Sequence, residues 1–229
     1  MSIYAVSDLH GCYKAWQMIK AFLKPEDTVY VLGDCGDRGT EPWDTLKRVL
    51  LEPQVIYLKG NHDDMLVKAA REAINGDGYH RQRDLYRNGG DSTLEGLLSE
   101  KNPDTWISEI ANCPSYIELK NANGQDIFLC HAGMSHGLRK ELPSYEDLIW
   151  DRDHYFDHSD LLDDTIVVHG HTPLYYIAED LEIKVPNPIS ALKYADGKKY
   201  CIDAGTVWTG IAILLNLDTF ESICFNIND

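Results

Sequence analysis

Ile3-Tyr4-Ala5-Val6-Ser7-Asp8-Leu9-His10-Gly11 opens the chain with four apolar residues that stop on a polar turn. A run so short and so abruptly bounded reads as a buried strand with its polar residues at the carboxyl end. From Tyr13 to Leu23, the residues Ala15, Trp16, Ile19, Phe22 and Leu23 recur at helical spacing, and Pro25 stops the pattern. The order is strand, loop, helix.

The unit recurs twice. Thr28-Val29-Tyr30-Val31-Leu32 ends in Gly33-Asp34-Cys35-Gly36-Asp37-Arg38-Gly39 before a helix near Trp43 to Leu51. Val55-Ile56-Tyr57-Leu58 leads into Gly60-Asn61-His62-Asp63 before a helix through Met65 to Ile74. Such alternation predicts an α/β fold with parallel strands, whose functional groups gather beyond the strands' carboxyl ends. After a polar, Gly-rich stretch from Gly76 to Gly90 and helical segments up to about Ile110, strands follow with few helices. Ile127-Phe128-Leu129-Cys130 leads into His131-Ala132-Gly133, Ile166-Val167-Val168 into His169-Gly170-His171, and Lys199 to Ile202 into Asp203. These later strands are expected to form a second sheet packed on the first, within one domain spanning residues 1–229.

Composition excludes more than it assigns. With 44% hydrophobic and 25% charged residues the chain has a globular balance, and its net charge of -16 repels a nucleic-acid backbone, so no nucleic-acid partner is expected. The six cysteines form no Cys-x-x-Cys pair, the N-terminus carries no basic leader, and the apolar stretch from Ile211 to Leu217 is too short to span a bilayer. A cytoplasmic location without a membrane partner is the expectation.

Five strand ends or following turns present metal-competent side chains: Asp8 with His10, then Asp34, Asn61, His131 and His171. Singly, each is more simply a turn residue or a packed histidine. Their joint occurrence at the same end of successive strands is what points to a metal site. Oxygen and imidazole donors without thiolate suit Mn, Fe or Zn in a hydrolytic centre. One bridging carboxylate can hold two ions about 3.5–4 Å apart.

Asp8-Leu9-His10-Gly11, Gly33 to Gly39, Gly60-Asn61-His62-Asp63, His131-Ala132-Gly133 and Gly170-His171 resemble, in order, the GDxHG, GDxxDRG, GNHE, HGG and GH motifs of the phosphoprotein phosphatases. These are calcineurin-like metallophosphoesterases, and the likeness is to the bacterial and phage type of serine/threonine protein phosphatase. The resemblance implies two packed mixed β-sheets flanked by helices. It implies two divalent metal ions, Mn foremost, one held by Asp8, His10 and Asp34 and the other by Asp34, Asn61, His131 and His171. It implies His62 as general acid oriented by Asp37, and Arg38, Asn61 and Arg152 as phosphate-binding residues, with Trp150-Asp151-Arg152 the match for a second arginine. The expected reaction is direct attack of a metal-bridging hydroxide on a phosphomonoester of a phosphorylated protein or peptide, or of a small phosphoester. Three departures stand out: Ser7, Asp63 and Ala132 replace a Gly, the Glu and a Gly of the family's motifs, and none removes a ligand.

Two rival chemistries fail locally, because Cys130 has no arginine at Cys-x5-Arg spacing and no Gly-x4-Gly-Lys-Ser/Thr loop exists. The alternative within the family is a dinucleoside polyphosphate hydrolase, which a base-stacking aromatic would favour, with Tyr79, Tyr86 and Tyr155 as candidates. The alternative of another class is a non-catalytic metal-bound interaction module. The locally basic segment from Tyr79 to Arg87 either borders the cleft and steers anions through Arg81 and Arg83, or is a solvated helix end.

Overall fold

In the computed structural model, which describes residues 1–134, 143–156 and 164–229, the strand-helix unit occurs three times. Strand β1 (Ile3–Val6), helix α1 (Tyr13–Phe22), β2 (Thr28–Val31), α2 (Pro42–Leu50), β3 (Val55–Tyr57) and α3 (Asn61–Asn75) follow one another. The three strands pair in parallel, with Val6 opposite Val31 and Val31 opposite Tyr57. Their common direction and register bring the three polar segments to one edge of the sheet.

Period-2 alternation sorts the side chains. Tyr4, Val6, Val29 and Val31 face a core built with Trp16, Ile19, Leu46, Val49, Leu66 and Ala70 of the helices. Ala5, Leu32 and Leu58 face the opposite way, into a second core. Each fully buried Val, Leu or Ile contributes about 1.5–3 kcal/mol relative to exposure.

Helix α3 begins at Asn61 itself, four residues ahead of the expected start at Met65. The polar stretch from Gly76 to Gly90 contains helix α4 (His80–Arg87), whose one buried residue, Leu85, leaves no apolar periodicity to read. Helices α5 (Asp91–Leu98) and α6 (Pro103–Asn112) complete the layer over the first sheet.

Strands β4 (Tyr116–Lys120) and β5 (Asp126–Cys130), helix α7 (Tyr145–Trp150), β6 (Ile166–His169), helix α8 (Leu174–Asp180), β7 (Leu192–Tyr194) and β8 (Lys199–Cys201) supply the second sheet. Its order is β4-β5-β6-β8-β7, parallel through β5, β6 and β8 and antiparallel at both edges. Phe128, Cys130 and Val167 on its outer face pack under Leu148 and Ile149 of α7. The inner face meets the first sheet through Leu129, Val168 and Tyr200.

The three later strands read from the sequence, β5, β6 and β8, form the second sheet as expected. After the short helix α9 (Thr206–Thr209), strands β9 (Ile211–Asn216) and β10 (Ser222–Asn226) return to the first sheet, giving the order β10-β9-β1-β2-β3. Strand β9 lies antiparallel to β1 and is apolar on both faces, Ala212 and Leu214 toward the helices, Ile213 and Leu215 toward the other sheet. That double burial suits a position inside a sheet covered on both sides. Among the described residues no helix is long and apolar enough to cross a membrane.

Candidate metal centre

Six of the ten non-glycine residues with positive φ among the described residues are Asp8, His10, Asp34, Asp37, Arg38 and His171. Each such conformation costs on the order of 1–3 kcal/mol and persists only where its surroundings impose it. Here the loops after β1 and β2 are laced together: the amides of Asp8, His10 and Gly11 donate to the carbonyls of Gly33, Asp34 and Cys35 at 3.2, 3.0 and 2.8 Å. The loops after β5 and β6 are joined by the Gly170 amide, which donates to the His131 carbonyl at 2.8 Å. Two glycines leave room for carboxylates. A methyl group on Gly60 would overlap Asp34, and one on Gly170 would overlap Ser7 and Asp8.

The five expected strand ends converge. Two groups of potential ligands share Asp34: His10 and His62 on one side, His131 and His171 on the other, all buried. Asn61 Oδ1 lies 3.0 Å from both His131 Nε2 and His171 Nδ1. Asp8 stands beside them, its Oδ1 3.7 Å from His10 Nε2. Its Oδ2 accepts from the Ser7 hydroxyl and, at 2.9 Å, from the His171 amide. Ser7, where the family motif has Gly, thus supports Asp8.

The donors fit divalent cations. His10 Nδ1 donates to the Gly36 carbonyl at 3.0 Å and His131 Nδ1 to the Leu32 carbonyl at 2.6 Å, which turns both Nε2 atoms toward the cluster. A ligating histidine is normally oriented in this way. His171 Nε2 is buried and has no hydrogen-bond partner, as a site built for an ion would leave it. The charge balance agrees. Burial raises the Asp8 carboxyl, and burial followed by the charge of Asp8 holds Asp203 well above its ordinary value. Burial lowers His10 to about 3, whereas at His131 the opposing burial is outweighed by Asp34 and the imidazole is pushed up to about 10. Such crowded carboxylates call for positive charge.

Asp63, in place of the family's Glu, accepts from the Gly60 amide at 2.8 Å, the Asp34 amide at 3.0 Å and the Tyr57 hydroxyl at 3.0 Å. Ala132 is absent from the positive-φ positions while Gly133 has φ 123°, so the Ala is accommodated without strain.

His62 and Asp37 form a buried pair, Nδ1 to Oδ2 at 2.6 Å. The Thr93 hydroxyl donates to Asp37 Oδ1 at 2.5 Å and accepts from the Asp37 amide at 2.9 Å. Burial would lower His62, but Asp34 and Asp37 outweigh it and hold the imidazole above 6.5. Arg38 donates to Nε2 of His10 at 2.9 Å and to Nε2 of His62 at 2.7 Å. Its amide is anchored on the Gly89 carbonyl at 2.8 Å, so the turn that follows α4 braces the site.

A cleft of about 200 Å³ is lined by His10, Asp34, Arg38, Asn61, His62, Arg152 and His171. Arg152 donates to Thr172 Oγ1 at 3.3 Å and so reaches the same space as Arg38. Tyr176, Asp203 and Trp208, none of them a site candidate from the sequence, also line the cleft. Asp203 follows the end of β8 as Asp8 follows the end of β1, so the same strand-end pattern marks it in the sequence. Trp208 and Tyr176 lie on short helices and carry no such signal.

The aromatic candidates named from sequence lie elsewhere. Tyr79 packs edge-on against Tyr86, and Tyr155 is buried with its hydroxyl 2.6 Å from Asp180. Arg81 and Arg87 of α4 line a separate hollow of about 610 Å³, together with Asp64, Lys68 and Trp150, whereas Arg83 approaches Asp84 at 3.9 Å. The Trp150 ring is 6.3 Å from His171, which sets this hollow beside the metal cluster.

Residues 1–203 match the Calcineurin-like phosphoesterase family. A symmetrical bis(5'-nucleosyl)-tetraphosphatase of Acidovorax sp. (strain JS42) is 31% identical over 138 residues, 58% of this chain and 44% of that protein. One from Buchnera aphidicola subsp. Schizaphis graminum (strain Sg) is 34% identical over 139 residues, 59% and 45% of the two chains. The chain therefore spans somewhat under half the length of these curated relatives. Among solved structures, a metallophosphoesterase from Sphaerobacter thermophilus superposes with a TM-score of 0.59 at 16% identity, covering 98% of this chain and 87% of that one. A protein serine/threonine phosphatase from Saccharomyces cerevisiae gives 0.59 at 13%, covering 98% and 79%. At such identities these two establish likeness of fold alone.

Proposed function

The chain belongs to the calcineurin-like phosphoesterase family, and on that premise we propose that it hydrolyses the phosphoanhydride of dinucleoside tetraphosphates. What supports this substrate, over the phosphoprotein expected from the motifs, is its likeness to symmetrical bis(5'-nucleosyl)-tetraphosphatases. The motif set is common to both chemistries, so the change concerns the leaving group and not the centre.

Asp8, His10, Asp34, Asn61, His131 and His171 would hold two divalent ions, with Asp34 common to both groups as the bridge. Metal held there supplies a water that ionises near neutral pH and positive charge against the phosphoryl oxygens. Arg38 and Arg152 present two guanidinium groups to one cleft, which suits bidentate capture of phosphate oxygens. A phosphate that engages Arg38 draws the guanidinium from His62 Nε2 and leaves that nitrogen free to carry a proton. The oxygen of water bonds to phosphorus, the P–O bond to the bridging oxygen breaks, and His62 gives its proton to the departing phosphate, with Asp37 holding the imidazole. The balance is one tetraphosphate and one water in, two nucleoside diphosphates out.

The test is product analysis after incubating the Mn-loaded protein with diadenosine tetraphosphate and, separately, with a phosphoserine peptide. Adenosine diphosphate as the sole nucleotide product is expected. Turnover of the peptide without turnover of the dinucleotide would return the reading to a protein phosphatase.

A further inference from the structure

Trp208 and Tyr176 are the two most solvent-exposed aromatic side chains among the described residues, at 65% and 58%, and both line the same 200 Å³ cleft as Arg38 and Arg152. Single exposed aromatics need no explanation. Two lining one cleft together with Arg38 and Arg152 do.

The two residues share an anchor. Asp203 Oδ1 accepts from the Gly205 amide at 2.7 Å, which fixes the turn into α9 and therefore Trp208. The Asp203 carbonyl accepts from the Leu174 amide at 2.8 Å, which ties down the start of α8 and therefore Tyr176. One residue at the end of β8 thus sets both lips. The Trp208 ring lies over the Arg38 guanidinium at 5.5 Å and folds back across Gly205. Its position relative to the arginine is held, although most of its surface is open to solvent.

Cleft volume decides what these rings would meet. Sites that enclose a drug-sized ligand run from roughly 300 to 1,000 Å³, so a cleft of about 200 Å³ takes phosphates and leaves the nucleosides at its rim. The rim is where the two aromatic rings are. Resting on the reading of the substrate given above, we propose that Trp208 and Tyr176 form a stacking platform for one base of the dinucleoside tetraphosphate. The phosphate chain runs from it past Arg38 and Arg152. Stacking needs only a π-face, so the platform tolerates any of the common bases and distinguishes a nucleotide from a bare phosphate.

The experiment compares wild type with Trp208→Ala, Trp208→Phe and Tyr176→Ala in the Mn-loaded protein. Two quantities are measured: the KM for diadenosine tetraphosphate and the inhibition constant of inorganic tetraphosphate, which has the phosphate chain without bases. Alanine at an exposed position leaves the fold intact. Trp208→Ala is expected to raise the ratio of the first constant to the second by about 5- to 150-fold, the usual range for losing one stacked base. Tyr176→Ala should raise it as well, while Trp208→Phe, which keeps a π-face, should fall between wild type and alanine. An unmoved ratio in both alanine variants, with the wild type active on the dinucleotide, overturns the platform and leaves the substrate reading standing. An equal rise in both constants also overturns it, because Trp208 would then act only through Arg38. Wild type that turns over phosphopeptides but not the dinucleotide removes the substrate reading and the platform with it.

Discussion

Replacing His62 and Asp37 singly and together tests whether the two act as one proton-donating unit. The 2.6 Å contact between His62 Nδ1 and Asp37 Oδ2 is buried on both sides, and Asp37 has its own support from Thr93. A positioned general acid contributes typically 10²–10⁴ in rate, so His62→Asn is expected to lower kcat by that factor, about 2.7–5.5 kcal/mol at 1.36 kcal/mol per decade. Asp37→Asn keeps the imidazole and loses a hydrogen bond to a charged group, a loss of about 1.5–3 kcal/mol, or roughly 10- to 150-fold. Because Asp37 acts only through His62, the double variant should be no slower than His62→Asn alone. The assay is steady-state turnover of two small esters, phenyl phosphate and p-nitrophenyl phosphate, in all four proteins. The deficits should be much smaller for p-nitrophenolate, which leaves readily without a proton. Losses that multiply in the double variant, or that are the same for both esters, refute the reasoning.

Four further outcomes follow from the geometry. Chelation should lower the Tm, and a divalent metal at a hundred times its Kd should restore about 2.7 kcal/mol, a shift of about 5–11 °C for a chain of this size; Asp34→Asn should reduce that gain more than Asp8→Asn, as differential scanning calorimetry with and without Mn will report. Gly170→Ala places a methyl group against Ser7 and Asp8 and should destabilise by about 1–3 kcal/mol in urea unfolding, with weaker metal binding; unchanged affinity counts against the close approach. Thr93→Val leaves Asp37 Oδ1 without its buried donor and should cost about 1–3 kcal/mol, visible as lower stability together with lower kcat. Asp27 accepts from the Ser2 amide at 2.8 Å and the Lys24 amide at 3.0 Å, and although burial opposes it these bonds hold its carboxyl below 3.8. Its folded value being depressed, the stability is present above the unfolded value and disappears as pH falls through the folded one; the gap between wild type and Asp27→Asn should shrink below about pH 3.8, and a constant gap in acid unfolding would count against it.

The centre was legible because the chain writes it in local code. Asp8, His10, Asp34, Asn61, His131 and His171 each follow a short apolar strand, and the parallel pairing of β1, β2 and β3 leaves their loops nowhere to go but together. Arg152 was legible only by likeness to a motif, since nothing in Trp150-Asp151-Arg152 tells a cleft residue from a surface ion pair. Trp208, Tyr176 and Thr93 were illegible for a physical reason. Their placement depends on contacts between elements far apart in sequence, such as the Asp203 carbonyl with the Leu174 amide or Thr93 with Asp37, and no periodicity records those. The return of β9 to the first sheet was hidden in the same way, because an apolar run buried on both faces suits either sheet.

Strain and charge at the centre point to one requirement. Asp8, Asp34, Asp63 and Asp203 are all buried within one cluster, and six of the residues around it hold left-handed backbone conformations. Neither arrangement is stable for its own sake. Burial and mutual repulsion raise Asp8 and Asp203, and burial followed by the charge of Asp34 raises Asp63 to about 7. Both costs would be met by bound cations, since the loops that strain the backbone are the ones that bring His10, His131 and His171 around the shared Asp34. The same cations would reconcile a chain of net charge -16 with the polyanionic substrate proposed above, because bound metal, Arg38 and Arg152 would set the local field in the cleft, and not the distant acidic surface, which salt screens within about 8–10 Å. Raising ionic strength should therefore leave the KM for diadenosine tetraphosphate rising only modestly, whereas Arg152→Ala should raise it steeply at every salt concentration. A KM that fell with added salt would mean that repulsion from the surface, and not capture in the cleft, governs binding.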